Sequence, residues 1–207
     1  MKLWTMQPVE VYEELLRNGT FTCDPAKVCE PSFLDRYGWM NNKLNKKDPK
    51  PENIQYPIWA WYRFNSKEKK PDLRHSCYGV HGDKMVCLEL EVPDEKVLLT
   101  DFDLWHFVLN DWWLDQCFYD EYSEDEYDRN HAIFNALSEE EQRTEKEKSW
   151  EQILNIEPYE NDWIARGQYV QAVFWELKKR ICKESTVFYR TMIARAVNLL
   201  TFDKFLI

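Results

Sequence analysis

The sequence has few glycines and lacks long apolar runs, and each absence argues against a class of protein. Only 5 of its 207 residues are glycine. Neither GxGxxG nor GxxxxGK[ST] occurs, so the common phosphate-binding loops have no support. No window approaches the roughly 18 consecutive apolar residues that a membrane-spanning helix needs. The first residues do not combine a basic segment with a following apolar one, so we expect no secretory signal and a cytoplasmic protein.

The sequence has fewer basic than acidic residues, with 27 Lys and Arg and 37 Asp and Glu, which gives a net charge of -10. This balance argues against a surface that coats nucleic acid broadly or binds an anionic membrane. Neither GxSxG nor HExxH is present, so these hydrolase motifs are missing. The 6 cysteines are scattered without CxxC spacing, and we expect them to be reduced thiols.

One stretch near the middle of the chain predicts the centre of the fold. Residues 86–92 alternate between apolar and mostly charged side chains, which indicates a strand with one apolar face. Pro93-Asp94 then predicts a turn, and Val97-Leu98-Leu99 predicts a second short strand. Thr100 and Asp103 have the spacing of a capping box, so a helix is expected to begin there.

Further elements are predicted on both sides of this stretch. A first strand over Lys2–Met6 precedes a helix with Pro8 as its first residue and Gly19 just after its end. The aromatic run Tyr56–Phe64 predicts another strand. The remaining predicted elements are a helix from Pro31 through Leu44, a helix that begins with a capping box between Ser138 and Glu141, a strand over Tyr169–Leu177, a strand near Val187–Tyr189 and a C-terminal helix over about 191–203.

These elements predict one α+β domain over residues 1–207, with an acidic helical insertion over about 111–165. Between Asp111 and Asp128, acidic residues are frequent and Lys and Arg are absent. The ordinary interpretation of such a block is solvated surface. A divalent-metal site or a surface for a partner are alternatives that the sequence leaves open.

Three side chains near the second predicted strand form a candidate metal or acid–base set. Asp103 and His106 share one face of the expected helix, and Asp101 lies at its start. Structural roles also explain the two acids, since carboxylates are favourable at a helix N-terminus. A metal-dependent hydrolase that uses Asp101, Asp103 and His106 is therefore one hypothesis for the function.

Several sequence strings resemble a bacterial family, the domain of unknown function numbered 3841. YPIWAW, which begins at Tyr56, and LLTDFDLWHFVLN, which begins at Leu98, are the most specific of them. The other strings are LWTMQ, KKPDLR and VQAVFWELKK. Together they extend from the start of the chain to Lys179, so the resemblance covers nearly the whole predicted domain.

The order of the predicted elements is more remotely similar to NAD-dependent ADP-ribosyltransferases, in particular to toxins that modify DNA. This resemblance implies two small, mostly antiparallel sheets with flanking helices, which form a cleft that holds NAD. It implies that a polar residue of the first strand binds NAD, that aromatic side chains pack on the nicotinamide and that a late strand orients the ribose. By this resemblance the cofactor-binding residues are Trp4, Thr5, Gln7, Tyr37 and Trp59, and the catalytic residues are Gln171 and Glu176.

The late strand departs from the toxin pattern. The toxins carry Gln-Ala-Glu, whereas this sequence has Val173 after Gln171 and Ala172. Alternation places Glu176 on the strand face opposite Val173, while Gln171 shares the Val173 face and has no charge. Either another acid serves the reaction, or the protein binds a ligand without transforming it.

The sequence therefore leads to three hypotheses, of which an NAD-binding ADP-ribosyltransferase-like protein is preferred. Such a protein would transfer ADP-ribose to a nucleic acid or a protein, in a toxin or phage-defence setting, and a neutralising protein partner is expected there. A carboxylate near the nicotinamide bond would stabilise the positive charge that develops as the bond breaks. The second hypothesis is a non-catalytic binding module on the same scaffold, and the third is the metal-dependent hydrolase.

Overall fold

A computed structural model describes residues 1–24, 33–74, 82–115, 123–161 and 164–189. The helices of this part of the chain are α1 (Val9–Asn18), α2 (Leu34–Lys47), α3 (Phe102–Leu109), α4 (Glu124–Asn135) and α5 (Glu139–Ser149). The strands are β1 (Lys2–Pro8), β2 (Thr20–Phe21), β3 (Ile58–Arg63), β4 (Lys84–Glu91), β5 (Leu98–Asp101), β6 (Tyr159–Glu160), β7 (Ala165–Arg166), β8 (Val170–Phe174), β9 (Leu177–Lys178) and β10 (Cys182–Tyr189). Short 3-10 helices cover Asp94–Lys96, Trp150–Leu154 and Lys179–Ile181.

One antiparallel sheet organises the described residues, and its strand order is β10-β4-β1-β3-β8-β5. The predicted α+β class with antiparallel strands is confirmed. The main strands differ from the expected two small sheets, because β1 pairs with β4 along one edge and with β3 along the other. The pairs β2–β9 and β6–β7 form two separate, two-stranded sheets.

Alternation along the strands divides the six-stranded sheet into two faces. The Leu3 face carries Leu3, Thr5, Gln7, Ala60, Leu88, Leu90 and Ala172. The Trp4 face carries Trp4, Met6, Trp59, Trp61, Glu89, Gln171 and Val173.

Both faces of the sheet are covered by other parts of the chain. On the Leu3 face, Leu15 of α1 and Phe21 of β2 pack against the strand side chains. On the Trp4 face, α2, α3 and Trp150 enclose Val173 near the β8–β5 edge. Two-sided burial explains why the aromatic strand β3 has large side chains on both faces, since each buried aromatic contributes apolar contact area.

The first helix ends as the sequence predicts but begins differently. β1 extends through Pro8, so Pro8 precedes the helix and Val9 is its first residue. Gly19 has a φ of 80° and its amide donates to the Leu15 carbonyl, which confirms the left-handed end. The helix predicted from Pro31 is α2, which begins at Leu34, while Pro31 itself lies outside the described residues.

The capping box predicted between Thr100 and Asp103 is wrong. Thr100 belongs to β5, where it pairs with Gln171, and the helix cap is Asp101, whose side chain accepts from the Leu104 amide. The local spacing did not reveal this because the pairing of Thr100 depends on a distant strand. The box between Ser138 and Glu141 is confirmed at the start of α5.

The predicted strands are present with shifted bounds. Tyr56–Phe64 contains β3, Tyr169–Leu177 contains β8, and the strand near Val187–Tyr189 is the end of β10. The helices α4 and α5 lie inside the predicted insertion over about 111–165. The C-terminal helix predicted over about 191–203 lies outside the described residues. None of the described helices has the length and apolarity needed to cross a membrane.

Candidate functional site

A continuous row of side chains crosses the Trp4 face. Register pairs place Glu89 of β4 beside Trp4, Trp4 beside Trp61, and Trp61 beside Gln171, which in turn lies beside Thr100 of β5. Neighbouring strands are about 4.8 Å apart, so Glu89 and Gln171 lie about 14 Å from one another. The row brings together one carboxylate, two indoles, an amide and a hydroxyl.

Gln171 lies in the middle of the sheet and is almost completely enclosed, with 3% of its surface exposed. Its strand neighbours are Trp61 on one side and Thr100 on the other. A buried polar side chain in the middle of a sheet is uncommon, so Gln171 is an unusual residue of this face.

Glu89 is the carboxylate of the row, and the sequence reasoning did not select it. The Trp4 indole Nε1 donates to Glu89 at 3.1 Å, and the Lys2 ammonium lies 2.6 Å from its other oxygen. The hydrogen bond from Lys2 is the main cause that lowers the pKa of Glu89, so this carboxylate is charged at neutral pH. The alternation of residues 86–92 was the signal that placed Glu89 opposite the apolar residues of its strand.

Thr5 and Gln7 lie on the Leu3 face, away from Trp4 and Gln171. The Gln7 amide donates to the Thr5 hydroxyl at 2.8 Å, and the Thr5 hydroxyl donates to the Trp59 carbonyl at 2.8 Å. Both side chains are buried. The cofactor-binding residues predicted on β1 therefore do not share one face, because neighbouring residues of a strand point in opposite directions.

Tyr37 and Trp59, two other predicted cofactor-binding residues, lie together in an aromatic cluster with Trp105. The ring centroids are 6.4 Å apart for Tyr37 and Trp59, and 5.2 Å apart for Trp59 and Trp105. α2 supplies Tyr37 and α3 supplies Trp105, so this cluster joins both helices to β3. Edge-to-face and tilted arrangements of this kind stabilise a core.

Glu176, the second predicted catalytic residue, follows β8 rather than lying within it. Its carboxylate forms an ion pair with Lys178, whose backbone pairs with Thr20 of β2. Gln171 instead lies at the second position of β8, in the middle of the sheet. The structure therefore separates the two predicted catalytic side chains.

The set of Asp101, Asp103 and His106 divides into groups with different surroundings. Asp101 is fully buried, and its two oxygens accept from the amides of Leu104 at 2.9 Å and Gly167 at 2.6 Å. This carboxylate joins the start of α3 to a distant turn. No group of three or more His, Cys, Asp or Glu side chains is placed to hold a metal ion in the described ranges.

Asp103 and His106 lie on the outer side of α3. The residue Asp103 is exposed, yet its carboxyl group is crowded by neighbouring protein atoms. This desolvation, assisted by the charge of Asp101, raises the pKa of Asp103 to about 6. Desolvation also lowers the pKa of His106, whose ring contacts the Phe102 ring at 4.9 Å. Asp103 therefore changes protonation near neutral pH.

A groove of about 720 Å³ lies between α4 and α5. One wall is apolar and the other is acidic. The lining residues are Trp113, Asp115, Asn130, Ile133, Phe134, Leu137, Glu140, Glu141, Thr144 and Glu145. At one end, the Trp113 and Phe134 rings are stacked with centroids 4.5 Å apart. The volume is in the range of known ligand sites.

The family model of the domain of unknown function DUF3841 matches residues 2–183. The chain belongs to the DUF3841 family. This confirms the resemblance that the sequence strings indicated. No curated protein and no solved structure matches the chain. The relation of DUF3841 to ADP-ribosyltransferases stays a hypothesis.

The sequence analysis missed two features of this DUF3841 chain, the row at Glu89 and the α4–α5 groove. Both lie within the residues that the family model matches. The groove had a readable signal, because Asn130, Ile133, Phe134 and Leu137 follow the spacing i, i+3, i+4, i+7. The acidic residues between Asp111 and Asp128 indicated a solvated surface, so these apolar positions were not interpreted as a site. A second capping box, between Ser123 and Glu126, also marks the start of α4.

Proposed function

We propose that this DUF3841 protein is a non-catalytic binding module that contacts another protein through its helical insertion. The observation that carries the proposal is the α4–α5 groove, whose apolar wall includes Ile133 with 59% of its surface exposed. Ile133 is continuous with Phe134 and Leu137 in this wall, and a contiguous exposed apolar surface is typical of an interaction site.

The separation of the two predicted catalytic side chains supports binding without chemistry. Gln171 is enclosed between Trp61 and Thr100, while Glu176 forms an ion pair with Lys178 beyond the strand. A catalytic pair must reach one reacting group at hydrogen-bond distance. This arrangement favours the second hypothesis of the sequence analysis over the first.

Photocrosslinking tests the proposed contact surface. A photoreactive phenylalanine analogue replaces Ile133 in one variant and Asp128, on the opposite side of α4, in a control variant. In cells of the source organism, we expect a discrete protein adduct from position 133 and none from position 128. If neither position gives an adduct, or both give the same pattern, the insertion is not the binding surface and the proposal fails.

A second candidate function is the NAD-dependent ADP-ribosyltransferase, and one observation favours it. Glu89 supplies, on the face of Gln171, the carboxylate that the late strand lacks. Trp4 lies between them in the row and its indole holds Glu89 in place. In this candidate, NAD would bind where Glu89 reaches the surface, since Trp4, Trp61 and Gln171 are buried, and Glu89 would stabilise the developing positive charge.

Incubation with labelled NAD and cell lysate tests the second candidate. Transfer of label to a macromolecule is expected, and Glu89→Gln is expected to reduce it by about 100-fold or more. Glu91→Gln is the matched control, because Glu91 is an exposed acid of the same strand that pairs with Lys183. Wild-type protein that neither transfers label nor shows an NAD-induced thermal shift ends this candidate, whereas turnover ends the non-catalytic proposal.

A further inference from the structure

We propose that the α4–α5 groove binds a basic amphipathic helix of another protein. This inference rests on the proposed function and gives the chemical class of its partner. It follows from the two unlike walls of the groove, from their charge and from their length.

The apolar wall comes from α4 and from Leu137, two residues after its end. Ile133, Phe134 and Leu137 lie along one side of the helix, and Trp113 extends this side by stacking on Phe134. Phe134 is the buried residue of α4, while Ile133 faces solvent. This wall therefore offers apolar area that the described part of the chain leaves uncovered, and covering it would be favourable.

The acidic wall comes from α5 and supplies Glu140, Glu141 and Glu145. Hydrogen bonds from Ser138 lower the pKa of Glu141, so this carboxylate is charged at neutral pH. Among the described residues that line the groove, none is Lys or Arg. The groove is therefore negative on one side, which favours cationic side chains and disfavours anionic ligands.

The lengths of the two walls define the shape of the partner. The groove is lined by positions 130–137 on one wall and 140–145 on the other, so each wall is about 10 Å long, which is about two helical turns. A helix that lies between them presents an apolar stripe to α4 and Lys or Arg side chains to α5. Helix-in-groove recognition uses this arrangement of anchors at i, i+3, i+4 and i+7.

Three synthetic peptides test the partner class by fluorescence anisotropy on the full chain. Each has 12 residues, the length of α4. The first is an amphipathic helix of Leu and Lys, the second has Glu in place of every Lys, and the third is the Leu–Lys composition shuffled to remove the apolar stripe. We expect the first to bind and the other two to bind at least about tenfold more weakly.

Protein variants then locate the binding surface. Ile133→Glu is expected to weaken binding of the Leu–Lys peptide by about tenfold or more, because it puts a charge on the apolar wall. Glu140→Gln with Glu145→Gln is expected to weaken it by about threefold or more. Asp125→Asn with Asp128→Asn is the matched control, since it removes two charges from the opposite side of α4. Circular dichroism checks that every variant retains its helices.

Each outcome decides the inference. Equal binding of the Leu–Lys and shuffled peptides, or an equal loss in the groove variant and the charge-matched control, shows attraction to bulk negative charge and overturns it. Absence of peptide binding also overturns it. If crosslinking at position 133 succeeds while the peptides fail, the binding function stands and the partner is not a basic helix. If both experiments fail, the proposed function fails as well.

Discussion

Asp101 and Asp103 are close in sequence, but their carboxyl groups have different surroundings, because two backbone amides donate to Asp101 and neither donates to Asp103. The amides of Leu104 and Gly167 donate to Asp101. Gly167 has a φ of 77°, and an added Cβ would lie 2.7 Å from the Ile156 carbonyl, so this turn requires glycine. The Asp101 carboxylate therefore joins β5, α3 and this turn through its hydrogen bonds, whereas Asp103 makes neither of these bonds.

Asp103→Asn is expected to change how stability depends on pH. The pKa of Asp103 in the folded state is about 6, against an ordinary value of 3.8. Between these values the folded protein keeps a proton that the unfolded chain loses, so the free energy of unfolding falls as pH rises. We expect Asp103→Asn to be more stable than wild type at pH 7, by less than about 1 kcal/mol because the residue is exposed.

Urea denaturation at pH 4 and pH 7 measures this effect. At pH 4 the variant and the wild type are expected to have similar free energies of unfolding, since Asp103 is then mostly protonated in the folded state. The control is Asp128→Asn, at an exposed position of α4. A difference at pH 4 that equals the difference at pH 7 would show that protonation of Asp103 is not the cause.

Gln7→Met is expected to lower the free energy of unfolding by about 1 kcal/mol. Gln7 is buried, and its side-chain amide donates to the Thr5 hydroxyl at 2.8 Å. Met keeps a similar side-chain volume but cannot form this hydrogen bond. Chemical denaturation measures the effect, and an unchanged free energy of unfolding would contradict the prediction.

At the scale of the elements, α5 depends strongly on its N-terminus. Its buried residue is Ser149, at its end, so apolar packing contributes little along its length. The Ser138 hydroxyl accepts from the Glu141 amide, and the Glu141 carboxylate accepts from the Ser138 amide at 2.9 Å. These bonds satisfy amide groups that the helix itself leaves unpaired.

Ser138→Ala is therefore expected to lower the free energy of unfolding by about 1 kcal/mol. Ser138→Asp is the matched variant, since Asp is an equally good cap, and it is expected to keep most of the stability. Thermal unfolding followed by circular dichroism at 222 nm, the usual helix band, measures both variants. An equal loss in the two variants would mean that the cap does not hold α5.

The elements that the sequence predicts well are those fixed by neighbouring residues. The box between Ser138 and Glu141 and the end of α1 at Gly19 depend on a few adjacent positions, and both predictions are confirmed. The cap of α3 depends on whether Thr100 pairs with Gln171, a residue far away in the sequence. Spacing within one segment does not contain that information.

The candidate site was harder to predict for the same reason. The alternation of side chains along a strand places Thr5 and Trp4 on opposite faces, whereas the resemblance to transferases assigned both residues to one NAD site. That Glu89 lies in a row with Trp4 and Gln171 follows from the strand order, which no single segment specifies. The apolar positions of α4 were readable from their spacing, but their exposure depends on what the rest of the chain leaves uncovered.

At the scale of the whole molecule, the sheet and the helical insertion differ in how much they are buried. β1 is bonded on both edges and five of its seven residues are buried. α4 has Phe134 as its buried residue. Hydrogen exchange usually follows this difference, because sparsely packed elements open at lower free energy.

Hydrogen exchange measured by mass spectrometry is expected to be slowest in β1 and β4 and at least about tenfold faster in α4. The physical reason is that exposing the β1 amides requires separation of a central strand, whereas α4 opens with the loss of few contacts. Peptides that cover β3 provide a further internal reference for the sheet. Equal protection in α4 and β1 would show that the insertion is an integral part of the same cooperative unit.

The central position of β1 has a consequence for biosynthesis. β1 is synthesised before both of the strands that flank it, since Trp4 pairs with Trp61 and Leu3 pairs with Leu90. Long-range pairing of this kind forms slowly, since a large loop must close first. The nascent β1 segment, with its two large apolar faces, therefore waits until β4 has been synthesised before both of its edges pair, and contact with a chaperone would protect it until then.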